Sequence, residues 1–112
     1  MHKPFELTLS EDGDGSAVVT VAGDLDSASS PQLRNALNLL AHRSPYEVFI
    51  DLSDSEFMDV SGVHVLAQAH AQLAARGTTL VLCSPSKSAR KVIQLTGFAA
   101  IATVVGTRAT AA

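Results

Sequence analysis

A serine stands where an acidic turn gives way to an apolar run, in the segment FMDVSGVHVL between residues 57 and 66. The hydroxyl of this residue, Ser61, could cap the following helix by accepting a backbone N–H from Val63 or His64. It could instead act as a nucleophile, or receive a group from another enzyme. The local pattern favours the cap. The helix penalty of Gly62, which comes next, indicates that something approaches the backbone there.

An enzyme would need a constellation of groups, and the sequence offers little of one. A nucleophilic Ser61 would need a base such as His64 and a third group to orient it, but no G-x-S-x-G turn surrounds the serine. Two acidic pairs could serve as general acid and base, although both stand at predicted loop edges where carboxylates stay solvated. These pairs are Asp24 with Asp26 and Asp54 with Glu56. We predict that the chain is not an enzyme.

The sequence predicts neither a metal site nor a cofactor. His64 and His70 are six residues apart on one predicted helix, so they point to different faces and do not share a metal. There is no G-x-x-x-x-G-K-[ST] loop for a nucleotide phosphate. The single cysteine, Cys83, lies in the apolar run TLVLC, which predicts a packed core thiol in a reducing compartment.

Composition describes a compact globular chain of one domain, residues 1–112, with 46% hydrophobic and 17% charged residues. Charge is divided unevenly: residues 1–59 hold all eleven acids and three basic residues, whereas residues 60–112 hold five basic residues and no acid. The basic residues are too few, and lack accompanying aromatics, for nucleic-acid binding. The asymmetry favours a charged protein partner.

The sequence has no feature that would direct it to a membrane. No apolar run approaches the roughly 20 residues of a membrane span, and MHKPFELTLS lacks the apolar core of a signal peptide. We therefore expect a cytoplasmic protein.

Periodicity predicts the order β-β-α-β-α-β-α-β. Alternation before and after an acidic turn, residues 11–15, indicates a hairpin, and two strand–helix–strand units follow it. Ser30 is expected to cap the first helix, with Pro31 at its first position. The result is an α/β fold: a single domain with a mixed sheet of about five strands and helices packed on one face. A small-residue tail, expected to fray, follows Val105.

The helix after Ser61 is predicted to run to about Arg76 and to have two distinct faces. Leu66, Ala69 and Leu73 form its buried stripe. A solvated face usually carries Lys and Glu, but the face continuous with Ser61 carries neither, which suits contact with another protein. Its members are His64, Gln68, Gln72 and Ala75.

Nearly the whole chain resembles the STAS-domain anti-sigma factor antagonists, small partner-switching proteins of bacteria. Four segments in the right order and spacing carry the resemblance: VTVAGDLDSASSPQLRNAL, VFIDLSDSEFMDVSGVHVLAQAH, RGTTLVLCSPS and VIQLTGF. The resemblance implies a single STAS-like domain and a role in transcription regulation during the stress response.

In that family the serine before the glycine is the phosphorylation site, which corresponds here to Ser61. The resemblance implies that an anti-sigma factor with serine kinase activity phosphorylates Ser61 and that a serine phosphatase restores it. The unphosphorylated form would bind the anti-sigma factor and free the sigma factor. Asp59 matches the acid of the motif, and Asp24 matches an acidic loop residue near the switch.

The chain departs from the family at two positions. Many members have a second serine at the position of Val60, so valine leaves Ser61 as the one phospho-acceptor of the turn. His64 replaces a glycine and bears on which kinase can dock. We expect partner-binding residues at Asp24, Asp59, Val60, Gly62, His64, Gln68 and Gln72, and a chain that is a monomer or weak dimer. The alternative is a STAS scaffold, or a ligand- or nucleotide-sensing module of a stress-signalling complex, that is not phosphorylated.

A phosphate would add about −1.5 to −2 charges at Ser61. Free N–H groups at a helix start favour an anion, so we expect the helix to survive phosphorylation. In a docked interface the same charge would be desolvated beside Asp59, which predicts that partner binding is lost.

Overall fold

The computed structural model describes residues 4–106. The strands are β1 (Glu6–Glu11), β2 (Ser16–Ala22), β3 (Glu47–Asp54), β4 (Thr79–Cys83) and β5 (Thr103–Val105). The helices are α1 (Ser30–Arg43), α2 (Val60–Ala74) and α3 (Lys87–Leu95), with a short 3-10 helix at Phe98–Ala100. The predicted element order is confirmed. The first and last residues of the predicted domain, including most of the tail expected to fray, lie outside the described residues.

The five strands form one mixed sheet in the order β1-β2-β3-β4-β5. β1 and β2 pair antiparallel as a hairpin, and the pairs from β2 to β5 are parallel. A parallel neighbour needs a crossover connection, and α1, α2 and α3 supply one after each of β2, β3 and β4. The predicted mixed sheet of about five strands is therefore confirmed.

All three helices contribute to one core with the alternate residues of the strands. Leu33 of α1, Leu66 of α2 and Ile93 of α3 are fully buried there with strand residues such as Ile50. The alternation of strand side chains places a smaller buried cluster on the other face of the sheet, composed of strand residues alone. Cys83 belongs to this second cluster and is buried, so the predicted core thiol is confirmed.

The start of α1 differs from the prediction by one residue. Ser29, not Ser30, holds the N-cap position, and neither hydroxyl caps the helix. The Ser29 hydroxyl accepts the N–H of Asp26 and donates to the carbonyl of Asp24, while the Ser30 hydroxyl donates to the Asp26 carbonyl. These hydroxyls therefore hold the preceding loop rather than the helix N–H groups, which the local sequence does not distinguish.

Parallel pairing of β2, β3 and β4 sets where the helices begin. α1 follows β2 and α2 follows β3, so both helices start at the same edge of the sheet, and they pack against each other. The loop after β2 also joins the segment before α2, because Leu25 pairs with Met58 in an isolated parallel bridge. This edge brings the first turns of α1 and α2 together.

α2 ends at Ala74, two residues before the predicted end. Gly77 follows the helix in the left-handed conformation that glycine favours at helix ends, with a φ of +81°. Among residues 4–106, no helix has the length and apolar character needed to cross a membrane.

Candidate functional site

Asp59, not Ser61, caps helix α2. Asp59 has extended backbone angles (φ −108°, ψ −174°), and its Oδ1 accepts the N–H of Ser61 at 2.8 Å and that of Gly62 at 3.4 Å. A carboxylate is among the best N-caps and also compensates the helix dipole. The prediction that Ser61 is the cap is therefore wrong: the acid two residues earlier already satisfies these donors, and the serine lies within the first helical turn.

The Ser61 hydroxyl has no structural task in the described residues. Its side chain is half-buried, and its Oγ forms no hydrogen bond with any residue between 4 and 106. His64 is one turn further along α2 but is not hydrogen-bonded to it, so the two do not form the coupled pair that an activated serine nucleophile needs. The hydroxyl faces a cavity instead.

This cavity of about 470 Å³ lies between the first turns of α1 and α2, and we call it the Ser61 cavity. On the α2 side the cavity is lined by Val60, Ser61 and His64. On the α1 side, which includes the loop before α1, it is lined by Ser27, Ser30, Pro31 and Arg34. The Arg34 side chain is exposed and makes no hydrogen bond or ion pair within residues 4–106. The site therefore has a cation that is not engaged elsewhere in the described chain.

Sequence reasoning missed Arg34. The relevant signal was the fold order itself, since two successive crossovers on one sheet face make α1 and α2 neighbours with their starts at the same edge. Arg34 is four residues after Ser30, so it lies one turn into α1, level with the beginning of α2. The exposed face of α2 is uncharged as predicted, but Arg34 of the neighbouring helix α1 adds a positive charge beside it.

A second groove, of about 500 Å³, continues along the same two helices. Arg34 and Asn38 line it from α1, and Gln68 and Gln72 line it from α2. Both glutamines are exposed. The Ser61 cavity and this groove together form a valley between α1 and α2, and Arg34 lines both of its parts. Gln68 and Gln72, which were predicted at the surface, thus lie in the same valley as Ser61.

A third cavity, of about 270 Å³, lies on the other side of α2 against the 3-10 helix. Val60 and His64 line both this third cavity and the Ser61 cavity, so these two residues form a ridge between the two cavities. Val60 is 64% exposed and faces the same cavity as Ile101, which is 59% exposed. This side is apolar, which suits contact with a protein.

Gly62 is buried, and core side chains make the close approach to its backbone that the sequence predicts. A Cβ at this position would lie 2.8 Å from Leu25 Cγ and 2.9 Å from Met58 Cγ. The close approach that the glycine permits is therefore that of the core beneath α2, not that of an external molecule. Gly62 supports the position of Ser61 from inside.

The loop that carries Asp24 is fixed to the segment before α2. Leu25 donates its N–H to the Phe57 carbonyl at 2.9 Å, and Asp59 donates its N–H to the Leu25 carbonyl at 3.1 Å. Asp24 is half-buried and does not line the Ser61 cavity. The structure thus brings the Asp24 loop beside Asp59, but not the Asp24 side chain into the cavity.

Asp26 organises the same loop through its carboxylate. Its Oδ1 accepts the N–H groups of Ser29 at 3.1 Å and Ala28 at 3.0 Å. The Ser29 hydrogen bond is the larger cause, and together these bonds lower the pKa of Asp26 from its usual 3.8 despite some opposing desolvation. Within residues 4–106, no three His, Cys, Asp or Glu side chains are grouped as metal ligands would be.

Comparison with known proteins adds three relatives. An anti-sigma-B factor antagonist of Listeria monocytogenes is 29% identical over 83 residues, which cover 74% of this chain and 73% of the relative. The crystal structure of an anti-sigma factor antagonist from Mycobacterium paratuberculosis is 31% identical, with a TM-score of 0.81, and the alignment covers 96% of this chain and 91% of that one.

The third relative, the anti-sigma factor antagonist SpoIIAA, shares the fold. Its unphosphorylated form has a TM-score of 0.82 at 23% identity, covering 95% of this chain and 92% of that one. Its phosphorylated form, described as a Bacillus cell fate determinant, has a TM-score of 0.74 at the same identity, covering 95% and 96%. The family model of the STAS domain matches residues 9–111. The chain belongs to the STAS domain family.

Proposed function

We propose that this chain is an anti-sigma factor antagonist that is switched by phosphorylation of Ser61. In its unphosphorylated form it binds an anti-sigma factor that is also a serine kinase, and the sigma factor is released. The kinase transfers the γ-phosphoryl group of ATP to Ser61 Oγ. ADP leaves and the hydroxyl proton is released. A serine phosphatase hydrolyses the phosphoester and restores binding. The proposal places the chain in the cytoplasm, where sigma factors act with RNA polymerase.

The observation that carries this proposal is the state of the Ser61 hydroxyl. It faces an open cavity and forms no hydrogen bond with the described residues, while Asp59 performs the capping that the serine was expected to perform. A kinase could therefore modify Ser61 without removing a structural hydrogen bond. The names of the relatives, which are anti-sigma factor antagonists, support the same function.

The proposed partner surface is the exposed side of α2 with the valley beside α1. Val60 and His64 form its ridge, and Gln68 and Gln72 continue it along the helix. α2 itself presents no charged side chain on this side, so the charge that docking must desolvate is mainly that of Arg34 in the valley. Asp59 lies at the edge of this surface, half-buried at the helix start. Gly62 would contribute to the surface indirectly, by letting α2 pack closely on Leu25 and Met58. Asp24 would lie beside the surface, in the loop that is hydrogen-bonded to the segment before α2.

Phosphorylation would act on this surface mainly through charge. The phosphate brings about −1.5 to −2 charges, and the nearest helix N–H groups, those of Ser61 and Gly62, are already bound by Asp59. A docked partner would therefore enclose a dianion next to a carboxylate. Burying a dianion that is at most partly paired costs free energy, and each 1.4 kcal/mol is a tenfold loss of affinity.

A pull-down from bacterial lysate, with the Ser61→Ala protein as bait, is used to recover the partner ATPase. The chain is then incubated with this ATPase and ATP, and mass spectrometry locates any phosphate. Ser88 provides a matched control. It is the second residue of α3, which Ser86 caps, just as Ser61 is the second residue of α2, which Asp59 caps. We expect phosphate on Ser61, none on Ser88, and no phosphate when Ser61 is alanine. A chain that binds its partner equally well with and without ATP, and stays unmodified, would instead be the non-phosphorylated STAS module.

A further inference from the structure

Two side chains that line the Ser61 cavity, Arg34 and His64, can act on a phosphate as well as on a partner. Asp59 already accepts the N–H groups of Ser61 and Gly62 at the start of α2, so a phosphate on Ser61 would be stabilised by additional hydrogen-bond donors. It would also experience the negative charge of Asp59, two residues away. Without compensation, this pair of anions would destabilise the phosphorylated form of the free protein. Side chains in the walls of the cavity are placed to supply such donors.

Arg34 supplies the first of them. It lines the same cavity as Ser61, is exposed, and its side chain has no hydrogen bond or ion pair with the rest of residues 4–106. A guanidinium presents paired N–H donors that match the oxygens of a phosphate, and it stays charged at any physiological pH. Because Arg34 is not held by a carboxylate in the described chain, it can turn toward a phosphate without breaking an existing pair.

His64 supplies the second. It is three residues after Ser61 on α2, a spacing that places two side chains on the same side of a helix, and both line the cavity. An imidazole N–H donates to a phosphate oxygen, and protonation would add a positive charge. No carboxylate lines the cavity in the described part of the chain. The cavity therefore suits an anion, although Asp59 lies close to it.

We propose that Arg34 and His64 bind the phosphoryl group of phosphorylated Ser61 and partly neutralise it in the free protein. The phosphate would then connect α1 to α2 across the Ser61 cavity. This inference rests on the proposed phosphorylation of Ser61 and concerns how the phosphorylated form is stabilised. It explains how a dianion can be accommodated beside Asp59 while the fold is kept.

The test uses protein in which phosphoserine is inserted at position 61 during translation, so that it does not depend on finding the kinase. Phosphorus NMR over a pH series gives the second pKa of the phosphate, which is about 6 for an unperturbed phosphoserine. A nearby cation favours the dianion and lowers this pKa, whereas Asp59 raises it. Asp59 is present in every variant, so differences between variants report only the substituted residue.

Arg34→Gln is compared with Arg43→Gln, which removes the same charge from the same helix. Arg43 is nine residues further along α1, or about 13 Å, which exceeds the screening length of about 8–10 Å, and it is paired with Glu11 at 2.7 Å. We expect the phosphate pKa to be about half a unit higher with Arg34→Gln than with Arg43→Gln. Arg34→Lys should keep most of the lower value, because the charge remains. His64→Gln should also raise it.

Equal phosphate pKa values in the Arg34→Gln and Arg43→Gln proteins would overturn the inference. An effect of Arg34→Gln without any effect of His64→Gln would overturn the role of the histidine. Either result would leave kinase-dependent phosphorylation of Ser61 unaffected, since that is measured separately on the unmodified chain. Conversely, a chain that no kinase phosphorylates would refute the proposed function without changing the phosphate pKa comparison.

Discussion

The carboxylate of Asp59 accepts the backbone N–H of Ser61 at 2.8 Å, so the acid caps the helix in whose first turn the serine lies. This relationship separates two roles that the sequence assigned to one residue. The cap holds the helix start, while the serine hydroxyl is left unbonded within residues 4–106 and faces a cavity. Modification of the hydroxyl would therefore leave the cap in place, with the Asp59 charge beside the modified group.

Removing the cap should destabilise the protein, whereas removing the serine hydroxyl should not. Asp59→Ala is expected to lower the free energy of unfolding by about 0.5–2 kcal/mol, because the Ser61 N–H loses its acceptor and the Gly62 N–H keeps only the Asp59 backbone carbonyl. Asp59→Asn is the matched control and should retain most of the stability, since asparagine also caps well. Urea unfolding measures the free energy of unfolding of Asp59→Ala, Asp59→Asn and Ser61→Ala. A larger loss for Ser61→Ala than for Asp59→Ala would contradict this assignment.

Alanine at position 62 should be destabilising, although alanine favours helices by up to about 1 kcal/mol over glycine. The added Cβ would lie within 3 Å of Leu25 and Met58, so the buried side chains must move. We expect a loss of about 1–3 kcal/mol in the free energy of unfolding. Gly13→Ala, where a Cβ meets no atom within 4 Å, is the control and should change stability by no more than about 0.5 kcal/mol. A stabilised Gly62→Ala protein would show that α2 is not packed this closely.

The loop before α1 should weaken in acid through Asp26. Hydrogen bonds from Ser29 and Ala28 lower the pKa of Asp26 below 3.8 in the folded state, so the unfolded chain binds more protons in this range. The contribution of Asp26 to stability is therefore complete above pH 3.8 and is lost as the pH falls through the lower, folded value. Carbon NMR titration of the Asp26 carboxyl should give a value below 3.8. Asp26→Ala should flatten the acid limb of the stability curve, and a titration at or above 3.8 would contradict the hydrogen bonding described.

Negative charge on the exposed side of α2 should interfere with partner binding but not with folding. Gln68→Glu and Gln72→Glu together are expected to weaken binding of the recovered ATPase at least tenfold, about 1.4 kcal/mol, because carboxylates in the interface would lose their hydration. Gln94→Glu makes the same chemical change at an exposed position of α3, away from the valley between α1 and α2. Calorimetric titration compares the two proteins. If Gln94→Glu weakened binding as much as the double variant, the proposed surface would be wrong.

The order of elements followed from the sequence because each signal was local. The alternation of apolar residues in the strands and a Pro near the start of α1 predict elements through short-range geometry. The apolar stripe of Leu66, Ala69 and Leu73 likewise identified the buried side of α2 correctly. Such patterns repeat within one or two helical turns, so they can be recognised without knowledge of the tertiary structure.

The details of the site depended on competition and on contacts distant in sequence. Both Asp59 and Ser61 are good caps, and the extended backbone of Asp59 decides between them. Gly62 was given an external role because its neighbours Leu25 and Met58 are known only once the loop pairs with the segment before α2. Arg34 belongs to another helix, so the charge it adds was invisible to a search along α2 alone.

Phosphorylation as a binding switch is tested most directly by measuring affinity with and without a phosphate on Ser61. The ATPase recovered with the Ser61→Ala bait would be titrated with the unmodified chain, with phosphoserine at position 61, and with phosphoserine at position 88 as the matched control. We predict an affinity at least tenfold weaker for phosphate at 61, about 1.4 kcal/mol, and little change for phosphate at 88. Equal affinity of the unmodified and Ser61-phosphorylated proteins would contradict the switch.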